Sequence, residues 1–262
     1  MGKKYKEILF ETFGKVATLS LNRPEALNAL TFDMMDEVQD ALDFVEENSD
    51  IRALVFTASG KGFCSGQDLK NRPQGEGTNM VEAVMGCYFR TFKSIMTCRV
   101  PVITAVNGVA AGGGFSLALT GDILIASENA RFIQVFSRIG LIPDLGSTYL
   151  LPKMIGRSKA LELMMTNEPL SAKEALTLGM VNECVPDEKL MDRALERAAQ
   201  LAEGPTRALH ATRELVDRKD FTEFEIRFRE ELEVQAEIRT SYDAKEGVGA
   251  FLEKRKAEFR GY

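Results

Sequence analysis

The amino-acid sequence predicts an α/β fold, and three observations predict it. A chain of 262 residues suits one large domain, or one with an appended helical layer. Short apolar runs of strand length, such as residues 53–57 (ALVFT) and 102–106 (VITAV), alternate with segments of helical periodicity. Past residue 186 the strand patterns stop and helical ones take over, so the expected division is an α/β core over residues 1–186 and a helical C-terminal region over residues 187–262.

Taken in order, residues 15–21 (KVATLSL) alternate as a strand after a hairpin-like turn at Phe13-Gly14. Residues 22–30 (NRPEALNAL) are a loop punctuated by Pro24. Thr31 is placed to cap a helix running to Glu47, with Met34, Val38, Leu42 and Val45 on one face. The strand at 53–57 leads into SGKGFCSGQDLK (residues 59–70), and the polar, turn-rich NRPQGEGT (residues 71–78) reads as a flap. A helix over residues 80–97 ends before Val100-Pro101.

Residues 101–122 (PVITAVNGVAAGGGFSLALTGD) then run from a buried strand through a turn at Asn107-Gly108 and three glycines into a helix opening at 115–119. Strands are expected at 123–126, 131–134 and 180–185, and helical segments at 159–166 and 171–179. In the C-terminal region Phe221, Phe224, Phe228 and Leu232 recur at helical spacing. They are more apolar surface than a monomer is expected to bury alone, which points to a subunit interface.

Composition narrows the function. With 33 Lys and Arg against 39 Asp and Glu, the net charge of −6 argues against a nucleic-acid or anionic-membrane surface. No run reaches the roughly 18 apolar residues of a membrane helix. MGKKYKEILF lacks the apolar core of a signal peptide, so a cytoplasmic location is expected. Cys64, Cys87, Cys98 and Cys184 show no CxxC spacing, which fits reduced thiols and argues against a metal site. His210 is the sole histidine, which argues against Ser-His-Asp or Cys-His catalysis.

The glycines carry the chemistry. A strand that breaks into Gly112, Gly113 and Gly114 and enters a helix leaves backbone N–H groups unobstructed at the helix start. Such groups suit a phosphate or an oxygen that becomes anionic during a reaction. No GKS or GKT follows, so this is not a P-loop, and close helix packing is an equal explanation of the glycines. Residues 59–70 can offer a second free N–H near Gly66. Two such donors aimed at one point would form an oxyanion hole. Asp144, in GLIPDLGS, reads by itself as a cap for a helix opening near Gly146.

NRPEALNAL (22–30), GFCSGQDL (62–69), AVNGVAAGGGFSLALTGDILIA (105–126), GLIPDLGSTYLLPKMIG (140–156) and EGVGAFLEKRKAEF (246–259) together resemble the enoyl-CoA hydratase/isomerase (crotonase) superfamily, in order and across nearly the whole chain. The resemblance implies a ClpP/crotonase-like spiral of ββα units with a C-terminal helical trimerisation layer, as a homotrimer or a dimer of trimers. It implies an acyl-CoA thioester substrate whose enolate is held by the backbone N–H groups of Gln67 and Gly113. No separate cofactor and no metal are expected, coenzyme A being part of the substrate.

The positions that match the two hydratase glutamates are Ser116 and Phe136, neither of which can take a proton. Asp144 matches the acid/base of isomerases in the superfamily, and GLIPDLGSTYLLP is most similar to the ring-epoxide isomerase group of phenylacetate degradation. Ser65, Gly66, Asp68, Leu69 and Lys70 match CoA-binding positions. Asp68 is also suited to fixing its own loop. Phe251 and Lys254 match residues that reach the CoA of an adjacent subunit.

A relaxed hydratase and a catalytically idle CoA-binding paralogue stay open as alternatives. A dehalogenase-like hydrolase, with Asp144 as nucleophile, is disfavoured by the absence of tryptophan and by the place of His210 among the C-terminal helices.

Overall fold

The computed structural model describes residues 4–69, 79–217 and 220–262, with Asp220 described by its backbone only. The flap expected at 71–78, and Lys70, lie outside these residues. Strands β1 (Ile8–Phe13) and β2 (Val16–Leu21) form the expected antiparallel hairpin, turning at Gly14 with φ +58°. Helix α1 (Phe32–Glu47) opens at Thr31, whose side chain accepts the Met34 N–H at 2.9 Å. Strand β3 (Ala53–Ala58) is buried throughout, and β4 (Gly62–Cys64) follows it.

The helix expected over 80–97 is broken by one wide turn: α2 (Met80–Val84) and α3 (Arg90–Met96) flank a π turn at Met85–Phe89. Then come β5 (Val102–Val106), β6 (Val109–Ala111), α4 (Gly113–Ala118), β7 (Ile123–Ser127) and β8 (Arg131–Ile133). Helix α4 starts two residues before the expected position, at Gly113 itself. A 3₁₀ turn (Phe136–Ile139), α5 (Ser147–Ile155), α6 (Arg157–Thr166), β9 (Leu170–Ser171), α7 (Ala172–Thr177) and β10 (Glu183–Val185) complete the alternating part. Four helices follow: α8 (Leu190–Ala202), α9 (Thr206–Asp217), α10 (Asp220–Ile238) and α11 (Tyr242–Glu253).

The strands form two sheets. The larger has the order β1-β2-β3-β5-β7-β10 and is parallel except for β1, and the smaller has the order β4-β6-β8-β9. In each of the pairs β3–β4, β5–β6 and β7–β8 the first strand joins the larger sheet and the second the smaller. The chain therefore winds as a spiral of ββ units with helices between them.

Both faces of the larger sheet are covered, which explains why its strands read as unbroken apolar runs. Leu54, Phe56, Val102 and Val106 face the main core with α1 and α3. Ala53, Val55, Ile103, Ala105 and Ile125 face the other way, onto Leu190, Ala194, Ala198 and Ala202 of α8.

The change of pattern near Pro186 marks the last strand and no edge of the core, because α8 is the cover of the larger sheet. The C-terminal aromatic seam corrects the expectation placed on it. Phe224 and Phe228 are fully buried and Leu232 nearly so within the single chain. They pack against Phe89, Phe92 and Tyr149, with ring centroids 5.2–6.0 Å apart. The π turn supplies Phe89, so these three residues find their partners in the same chain and are no argument for an interface, while Phe221, the fourth of the expected set, is half-buried.

Candidate active site

Three segments meet at the candidate site, and two of them, with Gln67 and with Asp144 and Leu145, line a cavity of about 210 Å³ together with α2, with Leu232, Gln235 and Ala236 of α10, and with Arg239 just past its end. The first segment is the strand extension after β4. Leu30 and Gln67 form a parallel bridge in which the Leu30 N–H donates to the Gly66 carbonyl at 2.8 Å and the Asp68 N–H to the Leu30 carbonyl at 2.9 Å. The groups facing Leu30 thus belong to Gly66 and Asp68, and the alternation of an extended chain turns the Gln67 N–H to the opposite side. Asp68 is held at 3.0 Å by the Arg23 guanidinium, which also donates to the Ala29 carbonyl at 2.6 Å, so Asp68 pins this loop to residues 22–30.

The second segment is the glycine run. Gly113 is the first residue of α4, and its N–H is among those a helix start leaves without an intrahelical acceptor. The glycines also serve packing. A Cβ at Gly114 would sit 2.3 Å from the Cys64 carbonyl oxygen, and one at Gly113 would sit 2.7 Å from Leu145 Cδ1. A Cβ at Gly66, where φ is +97°, would lie 3.0 Å from the Ala111 carbonyl and 3.5 Å from the Gly113 nitrogen. The two segments therefore touch backbone to backbone beside Gly113. Free N–H groups in this arrangement can hold an oxygen that gains negative charge.

The third segment carries Asp144. Its main-chain carbonyl accepts the Ser116 hydroxyl at 3.0 Å and the Ser147 N–H at 3.2 Å. Its side chain is 8 % exposed, and Oδ2 accepts from Gln235 Nε2 at 3.0 Å. Gln235 also brackets the backbone of Ile142, accepting its N–H at 3.1 Å and donating to its carbonyl at 3.0 Å. The N-cap of α5 is Gly146 and not Asp144, whose carboxyl is bonded to Gln235 and whose main-chain carbonyl accepts the Ser147 N–H.

Glu231 takes that role from across the fold. Its carboxylate accepts the Gly146 N–H at 2.6 Å, the Thr148 N–H at 2.8 Å and the Thr148 hydroxyl. Burial pushes the Glu231 carboxyl up to about 8, against these donors, and the nearby Asp144 charge pushes the same way. Two consecutive left-handed residues, Leu145 (φ 55°) and Gly146 (φ 83°), turn the chain between Asp144 and α5.

Glu231, Gln235 and Arg239 escape a reading by sequence alone. The signal for them is their place: Glu231 and Gln235 continue the buried face of α10 set by Phe224, Phe228 and Leu232, where polar residues are costly unless partnered, and half-buried Arg239 follows one turn on.

Of the other expected site residues, Ser65 is exposed at the start of the same segment, with its hydroxyl on the Ala26 carbonyl at 3.3 Å. Leu69 is the last described residue before the undescribed stretch, and Lys70 falls within that stretch. Phe251 and Lys254 are exposed at the far end of α11 and do not line the cavity of their own chain. Ser116 and Phe136, both buried, bring no carboxylate to the site: one anchors Asp144, and the other packs with Leu141 and Ala244.

His210 lies on α9 beside Arg213 and Glu214, and is not among the cavity residues. The four cysteines are free; burial pushes the thiols of Cys64, Cys87 and Cys98 up to about 12, which keeps them unreactive. Among the described residues no cluster of His, Cys, Asp and Glu suits a metal ion, and no helix is long and apolar enough to cross a membrane.

The two sheets, the close approach of Gly66 to Gly113 and the Asp144 carboxylate beside Gln67 mark this end of the fold as the candidate active site. Known proteins agree. The enoyl-CoA hydratase/isomerase family profile matches residues 11–262. A 1,2-epoxyphenylacetyl-CoA isomerase of Escherichia coli (strain K12) is 41% identical over 249 residues, 94% of this chain and 95% of its own. A probable enoyl-CoA hydratase of Rhodobacter capsulatus is 39% identical over 257 residues, covering 98% of this chain and 99% of its own. The crystal structure of an enoyl-CoA hydratase/isomerase from Pseudoalteromonas atlantica superposes with a TM-score of 0.88 at 33% identity, covering 97% of this chain and 100% of that one. The chain belongs to the enoyl-CoA hydratase/isomerase family and has its crotonase fold.

Proposed function

We propose that the protein is an acyl-CoA isomerase that moves a double bond, or opens an isomerisable ring epoxide, by proton transfer through Asp144. The observation that carries this reading is that Asp144 is the single carboxylate among the described residues that line the cavity. Asp144 lines it together with Gln67, while the positions of the two hydratase glutamates hold Ser116 and Phe136. Glu231 is a second carboxylate nearby, but both its oxygens are taken by the start of α5, so it is not free to orient a water. The 41% identity to an epoxyphenylacetyl-CoA isomerase supports the same side, and the similarity to a probable hydratase is why hydration is the reading to test against.

In a 3-enoyl thioester, Asp144 removes a proton from the α-carbon. The electrons shift onto the thioester oxygen, where the N–H groups of Gln67 and Gly113 stabilise the charge, each such donor being worth roughly 3 kcal/mol. The protonated Asp144 then returns the proton to the γ-carbon. The double bond moves by one position, and no proton is gained or lost overall.

Ser65, Gly66, Leu69 and Lys70 are proposed to line the CoA path. Asp68, bonded to Arg23, contributes by fixing that loop. A trimer, or a dimer of trimers, is proposed to bring Phe251 and Lys254 to a neighbour's CoA. Their exposure beside Leu252 leaves them available for it.

The test is to measure turnover of a 3-enoyl-CoA and of crotonyl-CoA with one preparation, following products by mass spectrometry. Isomerisation is expected to be far faster than hydration. Hydration at an equal or greater rate would overturn the reading.

A further inference from the structure

Arg239 stands one turn beyond Gln235, just past the end of α10 at Ile238, and it lines the same cavity as Gln67 and Asp144. Its Nε is sealed from solvent and has no hydrogen-bond partner. Its backbone N–H is spent on the Gln235 carbonyl at 3.0 Å, and no ion pair or side-chain hydrogen bond of Arg239 occurs among the described residues. The nearby acids are otherwise engaged: Glu231 with Gly146 and Thr148, Asp144 with Gln235, and Glu82 with Arg229 at 2.6 Å.

An arginine side chain presents a planar fork of N–H donors and no acceptor. Met80, Val84 and Leu232 make the wall near it apolar. A charged group with a buried donor unmet in such surroundings is costly, and an incoming oxygen acceptor would relieve that cost.

We propose that Arg239 is a specificity residue, binding an oxygen acceptor carried by the acyl group away from its thioester. A carboxylate is the strongest form of that acceptor, because it can take two parallel N–H bonds from one guanidinium. Preferred substrates are then oxygen-bearing acyl-CoA thioesters, and plain hydrocarbon chains of equal length are poorer ones. The inference rests on the reading that this cavity takes the acyl group of a CoA thioester. Coenzyme A itself also carries acceptor oxygens, on its phosphates and amides, so the experiment must separate the two sources.

Calorimetric titration with adipoyl-CoA, hexanoyl-CoA and free CoA does so, using the wild-type protein, Arg239→Met and Arg239→Lys. The two thioesters share a chain length and differ in one terminal carboxylate. Wild type is expected to bind adipoyl-CoA about 10- to 100-fold more tightly than hexanoyl-CoA, the range for a hydrogen bond to a charged group. Arg239→Met removes that preference by weakening adipoyl-CoA alone, and Arg239→Lys keeps part of it.

Equal binding of both thioesters by wild type overturns the proposal, and that comparison needs no variant to fold. So does a loss in Arg239→Met shared by both thioesters and free CoA, which would assign the cation to the coenzyme. Binding is measured here without turnover. An absence of isomerisation would therefore count against the proposed reaction and leave this result to be read by itself.

Discussion

The two sides of the cavity are built by opposite means. On the proposed donor side the groups are backbone N–H groups, and the side chains matter by being absent: Gly66, Gly113 and Gly114 let two chain segments touch. On the carboxylate side the working group is a side chain, and side chains from elsewhere hold it. Gln235 and Asp144 are 91 residues apart in sequence, and Glu231 reaches the Gly146 N–H across 85. A backbone site is stiff because its own hydrogen-bonded segments fix it, whereas a side-chain site is set by whichever helix packs behind it. Damage to the first should therefore appear as lost structure, and damage to the second as lost chemistry in an intact fold.

The sharpest break is expected at Gly114. In Gly114→Ala the new methyl meets the Cys64 backbone, which cannot swing aside, so stability should fall by about 1–3 kcal/mol or more, with activity lost alongside. Gly113→Ala meets only the end of the Leu145 side chain and should be milder in thermal unfolding. Equal melting temperatures for Gly114→Ala and wild type would contradict the donor-side account.

On the other side, Gln235→Leu removes the donor to Asp144 Oδ2 and both bonds to Ile142. A lost hydrogen bond to a charged group predicts a fall in kcat of about 10- to 100-fold, with KM for the thioester little changed. Steady-state kinetics decide between this and a rise in KM alone, which would make Gln235 a binding residue.

The donor side was the more legible of the two in the sequence. Three contiguous glycines after an apolar run, and SGQD after another, announce a close approach of backbone, which the structure shows at Gly66 and Gly114. Thr31, the hairpin at Gly14 and the buried parallel strands were legible for the same reason: each follows from local chemistry. Strands β4 and β6 were not, because three residues beside glycine-rich turns carry no period.

The π turn at Met85–Phe89 was hidden as well, since nothing in MGCYF breaks a helix, yet it places Phe89 against Phe224 and Phe228. That pairing is what defeats the reading of the seam as an interface. Asp144 looked like a cap because Glu231, which does the capping, is remote in sequence. A long-range carboxylate leaves no local trace except a polar residue on an apolar helix face.

The most gradual effect expected is a slope in stability with pH. Burial raises the folded-state Glu231 carboxyl to about 8 from an ordinary 4.5. Between those values the folded protein holds a proton that the unfolded chain has released. The associated stability is fully present below the lower value and is lost as pH rises through the upper one, at up to about 1.4 kcal/mol per pH unit. Urea unfolding at a series of pH values should show this decline in wild type and a flatter curve in Glu231→Gln. Parallel curves would mean that the Glu231 carboxylate is ionised throughout, held by its three donors.

The central claim is that Asp144 carries the proton, and Asp144→Asn tests it most directly. The main-chain bonds of Asp144 to Ser116 and Ser147 do not involve its carboxyl, and Asn keeps an oxygen to accept from Gln235, so the variant should fold and bind thioester normally. With saturating 3-enoyl-CoA its isomerisation rate should fall by roughly two to four decades, the share of a general acid/base. A folded Asp144→Asn protein that isomerises within about tenfold of wild type, less than such a group contributes, would contradict the account.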